Sequence, residues 1–113
     1  MPNTHTVIVT PPVGTTLGSC FPNPVNPVGA NALIQFQFPP GTTDWSFVNN
    51  GFSIKSPPKP QPPDGMFTIT ASTDNQIVVK DKNGGGVKYS YNISIKPSNG
   101  TAVVIDPDIQ NEA

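Results

Sequence analysis

At 113 residues the chain is expected to form one domain spanning residues 1 to 113, and its 15 prolines argue against long helices. A net charge of −1, with six lysines and no arginine, provides no basic stripe for phosphate contacts and argues against nucleic-acid binding. The single cysteine, Cys20, excludes an intrachain disulfide and any multi-cysteine metal site.

The first two predicted strands lie on either side of a proline-rich loop. Thr4 to Thr10 alternates apolar and polar residues, as a half-buried strand does. Residues 11 to 30 contain five prolines and three glycines. We expect a long loop there, which either is stiffened by polyproline conformation or contains a short strand near Val13 to Leu17. Asn31 to Phe38 alternates again and is the second predicted strand.

The middle of the chain predicts two further strands separated by a second proline-rich loop. Trp45 to Lys55 is the third strand, interrupted at Asn49-Asn50-Gly51 by a turn or a bulge, because Asn and Gly both tolerate positive φ. Residues 56 to 65 contain a proline cluster that cannot lie inside a sheet. Met66 to Ala71 returns to alternation and is the fourth strand.

The last third of the chain carries the clearest strand pattern. Gln76 to Lys82 contains an apolar run typical of a buried strand, and a glycine-rich turn follows it. In residues 87 to 96 five apolar side chains alternate with five polar ones without a break, which indicates a half-buried antiparallel strand. Thr101 to Asp106 is the seventh predicted strand.

The predicted elements indicate an all-β protein without significant helix. About seven short strands joined by turn residues are typical of an antiparallel sandwich of two sheets. The proline-rich loops at 11–30 and 56–65 are expected to lie outside the sheets. The expected core residues are large apolar side chains on the inward faces: Ile34, Phe36, Trp45, Phe67, Ile69, Tyr91, Ile93 and Val103.

The sequence shows neither a membrane-spanning segment nor a secretory signal. No stretch approaches the roughly 18 apolar residues of a membrane helix. The first seven residues lack a basic patch followed by an apolar run. We therefore predict a cytoplasmic protein without a membrane span, and export by another route stays open.

Calcium is the metal that the composition fits best, because it needs only oxygen ligands. Asp81 and Asn83 lie at a turn, in an Asp-Lys-Asn-Gly stretch that partly resembles a calcium loop but lacks the rest of its spacing. The alternative interpretation is that both side chains form the turn itself by bonding to nearby backbone. No other cofactor is expected, since the lone His5 and the lone Cys20 are too few for a copper or zinc site.

The sequence argues against an enzyme. His5 is the only histidine, and Cys20 has proline-rich surroundings with no cationic cluster to lower its pKa. The glycines at 84–86 join two strands and do not open a phosphate-binding helix. We predict that the protein has no catalytic residues.

Three aromatic residues have two interpretations. Trp45, Phe47 and Phe52 could form an exposed platform that stacks against a carbohydrate ligand. Alternatively they fill the core, because Trp and Phe on alternating strands usually point inward.

Several segments together resemble those of small bacterial single-domain sandwiches with immunoglobulin-like or cupredoxin-like topology. These segments are Trp45-Ser-Phe47, Asn50-Gly-Phe52-Ser-Ile54, Val79-Lys-Asp81-Lys-Asn83, Tyr89-Ser-Tyr91-Asn-Ile93 and Ile105-Asp-Pro107-Asp-Ile109-Gln-Asn111. The resemblance covers residues 31 to 111 and implies a fold. It implies no active site, because the chain lacks the cysteine pair of immunoglobulin domains and the metal ligands of cupredoxins.

The sequence therefore predicts a non-enzymatic binding or structural module. Its loops or an exposed sheet edge would contact a protein partner or a second copy of the chain, which needs no catalytic residue. The alternative is a carbohydrate- or calcium-dependent ligand-binding module that uses Trp45 or the Asp81–Asn83 turn.

Overall fold

The computed structural model describes residues 4–56, 65–83 and 85–112, and this part of the chain forms nine strands. All seven predicted strands are present; the two short strands β2 and β9 are additional. The strands in chain order are β1 (Thr4–Thr10), β2 (Ser19–Phe21), β3 (Ala32–Gln37), β4 (Trp45–Ser56), β5 (Phe67–Ser72), β6 (Gln76–Asp81), β7 (Lys88–Pro97), β8 (Val103–Ile105) and β9 (Asp108–Gln110).

The strands form two sheets that pack face to face, which confirms the predicted all-β sandwich. The first sheet has the order β2-β1-β3-β6-β5. The second has the order β4-β7-β8, and β9 pairs with the same edge of β7 further along. Within the described ranges the structure contains no helix, and therefore no helix that is long and apolar enough to cross a membrane.

The prediction that all strands pair in antiparallel fashion is wrong for one ladder, since β1 and β3 are parallel. Parallel neighbours need a long connection that returns the chain to the end where it started. Residues 11–31 supply this connection. The connection contains β2, which pairs with β1, and then Val25, which bridges to Ile109 in the second sheet. The predicted loop therefore does contain a short strand, but it lies at 19–21 instead of 13–17, where only Val13 and Thr16 bridge.

The interruption in β4 is a bulge and not a turn. Four residues, 48 to 51, lie opposite the single residue Ser94 of β7. Asn50 adopts the left-handed conformation with φ of 54°, as the Asn-Asn-Gly sequence predicts. Plain alternation would place Phe47 and Phe52 on opposite faces, but the three extra residues bring both rings to the core side.

The core lies between the sheets, and its inward faces are those that the alternation predicts. Five of the eight predicted core residues are almost fully buried: Ile34, Phe36, Phe67, Tyr91 and Ile93. The other three, Trp45, Ile69 and Val103, are partly buried and pack against the same cluster. Of the predicted proline-rich loop at 56–65, residues 57–64 lie outside the described part of the chain.

Candidate functional site

The two lateral sides of the sandwich differ in how the sheets meet. On one side β4 lies against the hairpin of β5 and β6 and is joined to it by hydrogen bonds. The Phe47 N–H donates to the Asp74 carbonyl at 2.9 Å, and the Asn50 N–H donates to Ser72 Oγ at 2.8 Å. These bonds join the two sheets directly on that side.

On the opposite side, the edges of β2 and β8 are both unpaired. Among the described residues, β2 pairs only with β1, and β8 pairs only with β7. No other backbone hydrogen bond in the described ranges reaches either three-residue strand. Each strand therefore presents unpaired N–H and C=O groups, which is the requirement for pairing with another chain. We name β2, β8 and the segment 13–18 that leads into β2 the β2–β8 side.

An open groove of about 590 Å³ runs between the two edges. The two sides of the groove approach each other closely at Gly18, where an added Cβ would come within 2.8 Å of Ile105 Cδ1. The lining residues come from the segment around β2 and from β8 with the two residues after it: Pro12, Leu17, Gly18, Ser19, Cys20, Asn23, Val103, Val104, Ile105, Asp106 and Pro107. The groove is of the size of small-ligand and peptide sites, and its lining is mainly apolar.

Exposed apolar side chains are concentrated on the β2–β8 side, and two of them, Leu17 and Val104, belong to residues that line the groove. Six large apolar residues in the described ranges are exposed, and four of these belong to β8, to β2 or to the segment that leads into β2. Their exposed fractions are 86% for Leu17, 76% for Phe21, 71% for Val13 and 57% for Val104. Single exposed apolar residues are ordinary, but a group of them beside a groove is typical of an interaction surface.

The groove contains almost no net charge. Asp106 is the only charged residue in its lining, and Asp106 Oδ2 lies 2.9 Å from Lys55 Nζ. Both side chains are about half exposed, so this ion pair contributes little to stability. It does neutralise the one carboxylate that faces the groove.

Cys20 lies in the lining of the groove but has no reactive character. Its side chain is buried, and burial raises the pKa of the thiol to about 12. The thiolate is the nucleophilic form, so this residue is largely unreactive at neutral pH. His5 is occupied elsewhere, since its Nε2 accepts a hydrogen bond from the Val28 N–H at 3.0 Å.

Asp81 and Asn83, the predicted calcium ligands, are buried at one end of the sandwich. The Asn83 N–H donates to Asp81 Oδ1 at 2.8 Å, which is the turn-forming contact of the alternative interpretation. Asn111 Nδ2 also donates to Asp81 Oδ1, at 3.1 Å. Asn83 Nδ2 lies within 3.0 Å of the carbonyl oxygens of Pro27 and Gly29.

This end of the sandwich is tied to the C-terminal segment. The Glu112 N–H donates to Asn83 Oδ1 at 2.8 Å, and Glu112 Oε1 accepts from Asn83 Nδ2 and from the Gly29 N–H. The one side-chain oxygen of Asn83 therefore already accepts a hydrogen bond. Among the residues that the structure describes, neither Asp81 Oδ2 nor Asn111 Oδ1 has a hydrogen-bond partner.

Calcium takes about six to eight oxygen ligands, so the hydrogen-bonded Asp81 and Asn83 supply few of those it needs. Within the described residues, no group of three or more His, Cys, Asp or Glu side chains could hold a metal ion. Calcium binding at this turn stays a prediction, and the observed contacts are those of a structural turn.

The three aromatic residues do not form an exposed platform. Phe47 and Phe52 are 2% and 3% exposed, and Phe47 stacks on Phe38 at a ring distance of 4.3 Å. The bulge in β4 turns both rings inward, which corrects the platform interpretation. Trp45 is partly exposed and packs on the rim of the core, so carbohydrate stacking would have only this ring.

The residues of the β2–β8 side were not predicted as a site. Leu17, Phe21 and Val104 do not form a motif, and nothing local in the sequence states that they lie together. One feature of the sequence does indicate such a surface. Residues 13, 17 and 21 are apolar but lie in a predicted loop, where no alternating strand pattern directs their side chains into the core.

No family model matches the chain, and no curated protein matches it. The resemblance to immunoglobulin-like and cupredoxin-like bacterial sandwiches stays a prediction.

Proposed function

We propose that the protein is a non-enzymatic binding module that docks an extended polypeptide segment along the β2–β8 side. One observation carries this proposal: two unpaired strand edges flank an apolar groove, and two exposed apolar residues, Leu17 and Val104, belong to its lining. Strand addition needs only these parts, because backbone groups give affinity and the groove receives every second side chain.

The charge of the groove indicates which segment fits. Its single carboxylate, Asp106, is paired with Lys55. A charged residue entering the groove would lose hydration without gaining a partner. The preferred segment is therefore uncharged, with apolar residues at alternate positions that match the period of a strand.

A pair of synthetic peptides tests the proposal. The first alternates Val with Thr, and the second has the same length with proline at its centre, which removes a backbone donor and blocks pairing. The first peptide should slow amide hydrogen exchange in Ser19–Phe21 or Val103–Ile105, and the second should not.

A variant pair assigns the effect to the surface. Leu17→Ser should weaken peptide binding by about tenfold, because one large apolar contact is lost. Val28→Ser is the matched control, since Val28 is also exposed but lies outside the groove lining. Peptide protection that is absent from both edges, or that is equal in the two variants, would contradict the proposed function.

A further inference from the structure

We propose that the segment docked on the β2–β8 side is supplied by a second copy of this chain, and that a twofold axis pairs β8 of one copy with β8 of the other. This inference rests on the proposed function and names the partner. In such an arrangement the second sheet would continue from β4, β7 and β8 of one protomer into β8, β7 and β4 of its partner.

The surface carries both halves of an apolar contact. A twofold interface uses the same patch on each copy, so that patch must contain both a recess and the groups that fill it. Here the recess is the groove between Gly18 and β8, and the projecting group is Leu17, which is 86% exposed at its rim. Each copy can therefore place its own Leu17 against the recess of the other.

The charges are compatible with self-association. A twofold axis brings each charged group towards the copy of itself, so an unbalanced charge in the patch would repel. The Lys55–Asp106 pair contributes one charge of each sign, so the patch brings no unbalanced charge to the axis. A net charge of −1 leaves little repulsion between whole molecules.

The length of the unpaired edge of β8 determines the register in which two copies of this strand can pair. The neighbouring strand β9 is not available, because Val25 covers its outer side: the Val25 N–H donates to the Asp108 carbonyl, and the Gln110 N–H donates to the Val25 carbonyl. Only Val103–Ile105 remains open, and Val104 is its central residue. Antiparallel pairing of two such strands places Val104 opposite its own copy, with Cβ atoms about 4.5 to 5.5 Å apart.

The small size of this contact predicts a weak dimer. Three residues of edge and the rim around them fall at the low end of protein interfaces, which are typical of reversible association. We therefore expect a monomer–dimer equilibrium that responds to concentration between about 10 µM and about 1 mM, measured by sedimentation velocity.

Charge substitution at Val104 tests the axis directly. Val104→Lys and Val104→Asp each place like charges opposite one another and should make the protein monomeric over the whole range. Mixed in equal amounts, the two variants should associate again, because opposite charges then face each other. Loss of fold cannot produce this rescue, and Val28→Lys, an exposed valine outside the groove lining, should dimerise like the unmodified chain.

Three results would overturn the inference: a chain that stays monomeric at the highest concentration, a dimer that Val104→Lys does not weaken, or a mixture that fails to associate. These results leave the proposed function standing if the alternating peptide still protects the edges. If the peptide does not bind but the dimer forms and shows the rescue, the proposed docking of a general extended segment is contradicted, and the inference that a second copy pairs along β8 stands.

Discussion

Asp81 is a carboxyl group held inside the protein without a cation beside it. Both of the hydrogen bonds that it accepts go to Oδ1, and Oδ2 is buried without a partner. Burial raises the pKa of this carboxyl from its usual 3.8 to about 6, while the bonds from the Asn83 N–H and from Asn111 oppose the shift. The Asp81 carboxyl therefore binds a proton more tightly in the folded state than in the unfolded state.

This raised pKa predicts that Asp81 stabilises the fold at acidic pH. Because the folded pKa exceeds the unfolded one, the contribution is fully present below about pH 3.8 and is lost as the pH rises through about 6. The two-unit shift corresponds to about 2 to 3 kcal/mol. Asp81→Asn, which keeps an oxygen that can accept the two hydrogen bonds and carries no titratable group, should remove this dependence.

Chemical denaturation of the unmodified chain and of Asp81→Asn, from pH 4 to pH 8, measures the difference. The exposed Asp74→Asn serves as the control for the removal of one carboxylate. A flat difference curve for Asp81→Asn, or one no steeper than that of the control, would contradict the prediction.

At the scale of the element, β4 is the strand whose geometry depends most on one small residue. A Cβ at Gly51 would lie 2.8 Å from the Val48 carbonyl oxygen and 3.1 Å from that of Ser94. Both are backbone atoms, which cannot rotate away as a side chain can. Glycine therefore permits the bulge that turns Phe52 and Ile54 towards the core.

Gly51→Ala is expected to destabilise the protein by about 1 to 3 kcal/mol, because the bulge must shift to relieve the overlap. The loss would be measured from the midpoint of urea denaturation. Ser53→Ala, at an exposed position of the same strand, is the control and should have little effect. Equal midpoints for the two variants would show that the bulge accommodates a methyl group.

At the scale of the whole molecule, Asn83 joins segments that are far apart in sequence. Its side chain bonds the carbonyls of Pro27 and Gly29 in the long connection, and both the backbone and the side chain of Glu112. Its φ of 57° is one that glycine adopts easily. The side chain can therefore be removed without straining the backbone.

Asn83→Gly should lower the free energy of unfolding by about 2 to 4 kcal/mol, because several buried hydrogen bonds are lost together. Asn50→Gly is a matched control, since Asn50 has a φ of 54° but an exposed side chain. We expect the control to change stability by a few tenths of a kcal/mol at most. A similar loss in both variants would mean that backbone conformation, and not the buried side chain, sets the cost.

The site was much less predictable than the fold. Trp45, Phe47 and Phe52 were candidates because aromatic residues bind ligands, but the register of the bulge decides where two of them point. Leu17 and Val104 stand 87 positions apart, and only the order of strands in the two sheets brings them to one groove. No local pattern contains this information.

The sequence by itself determined where the seven main strands lie and which side of most of them faces inward, because alternation with a period of two is a property of neighbouring residues. Only the packing of distant segments sets the parallel direction of β1 and β3, the one unpaired edge that β2 and β8 each keep among the described residues, and the burial of Asp81. Each of these depends on which distant segments pack together. Which distant segments pack together depends on the free energy of the whole core, so no single stretch of the sequence determines it.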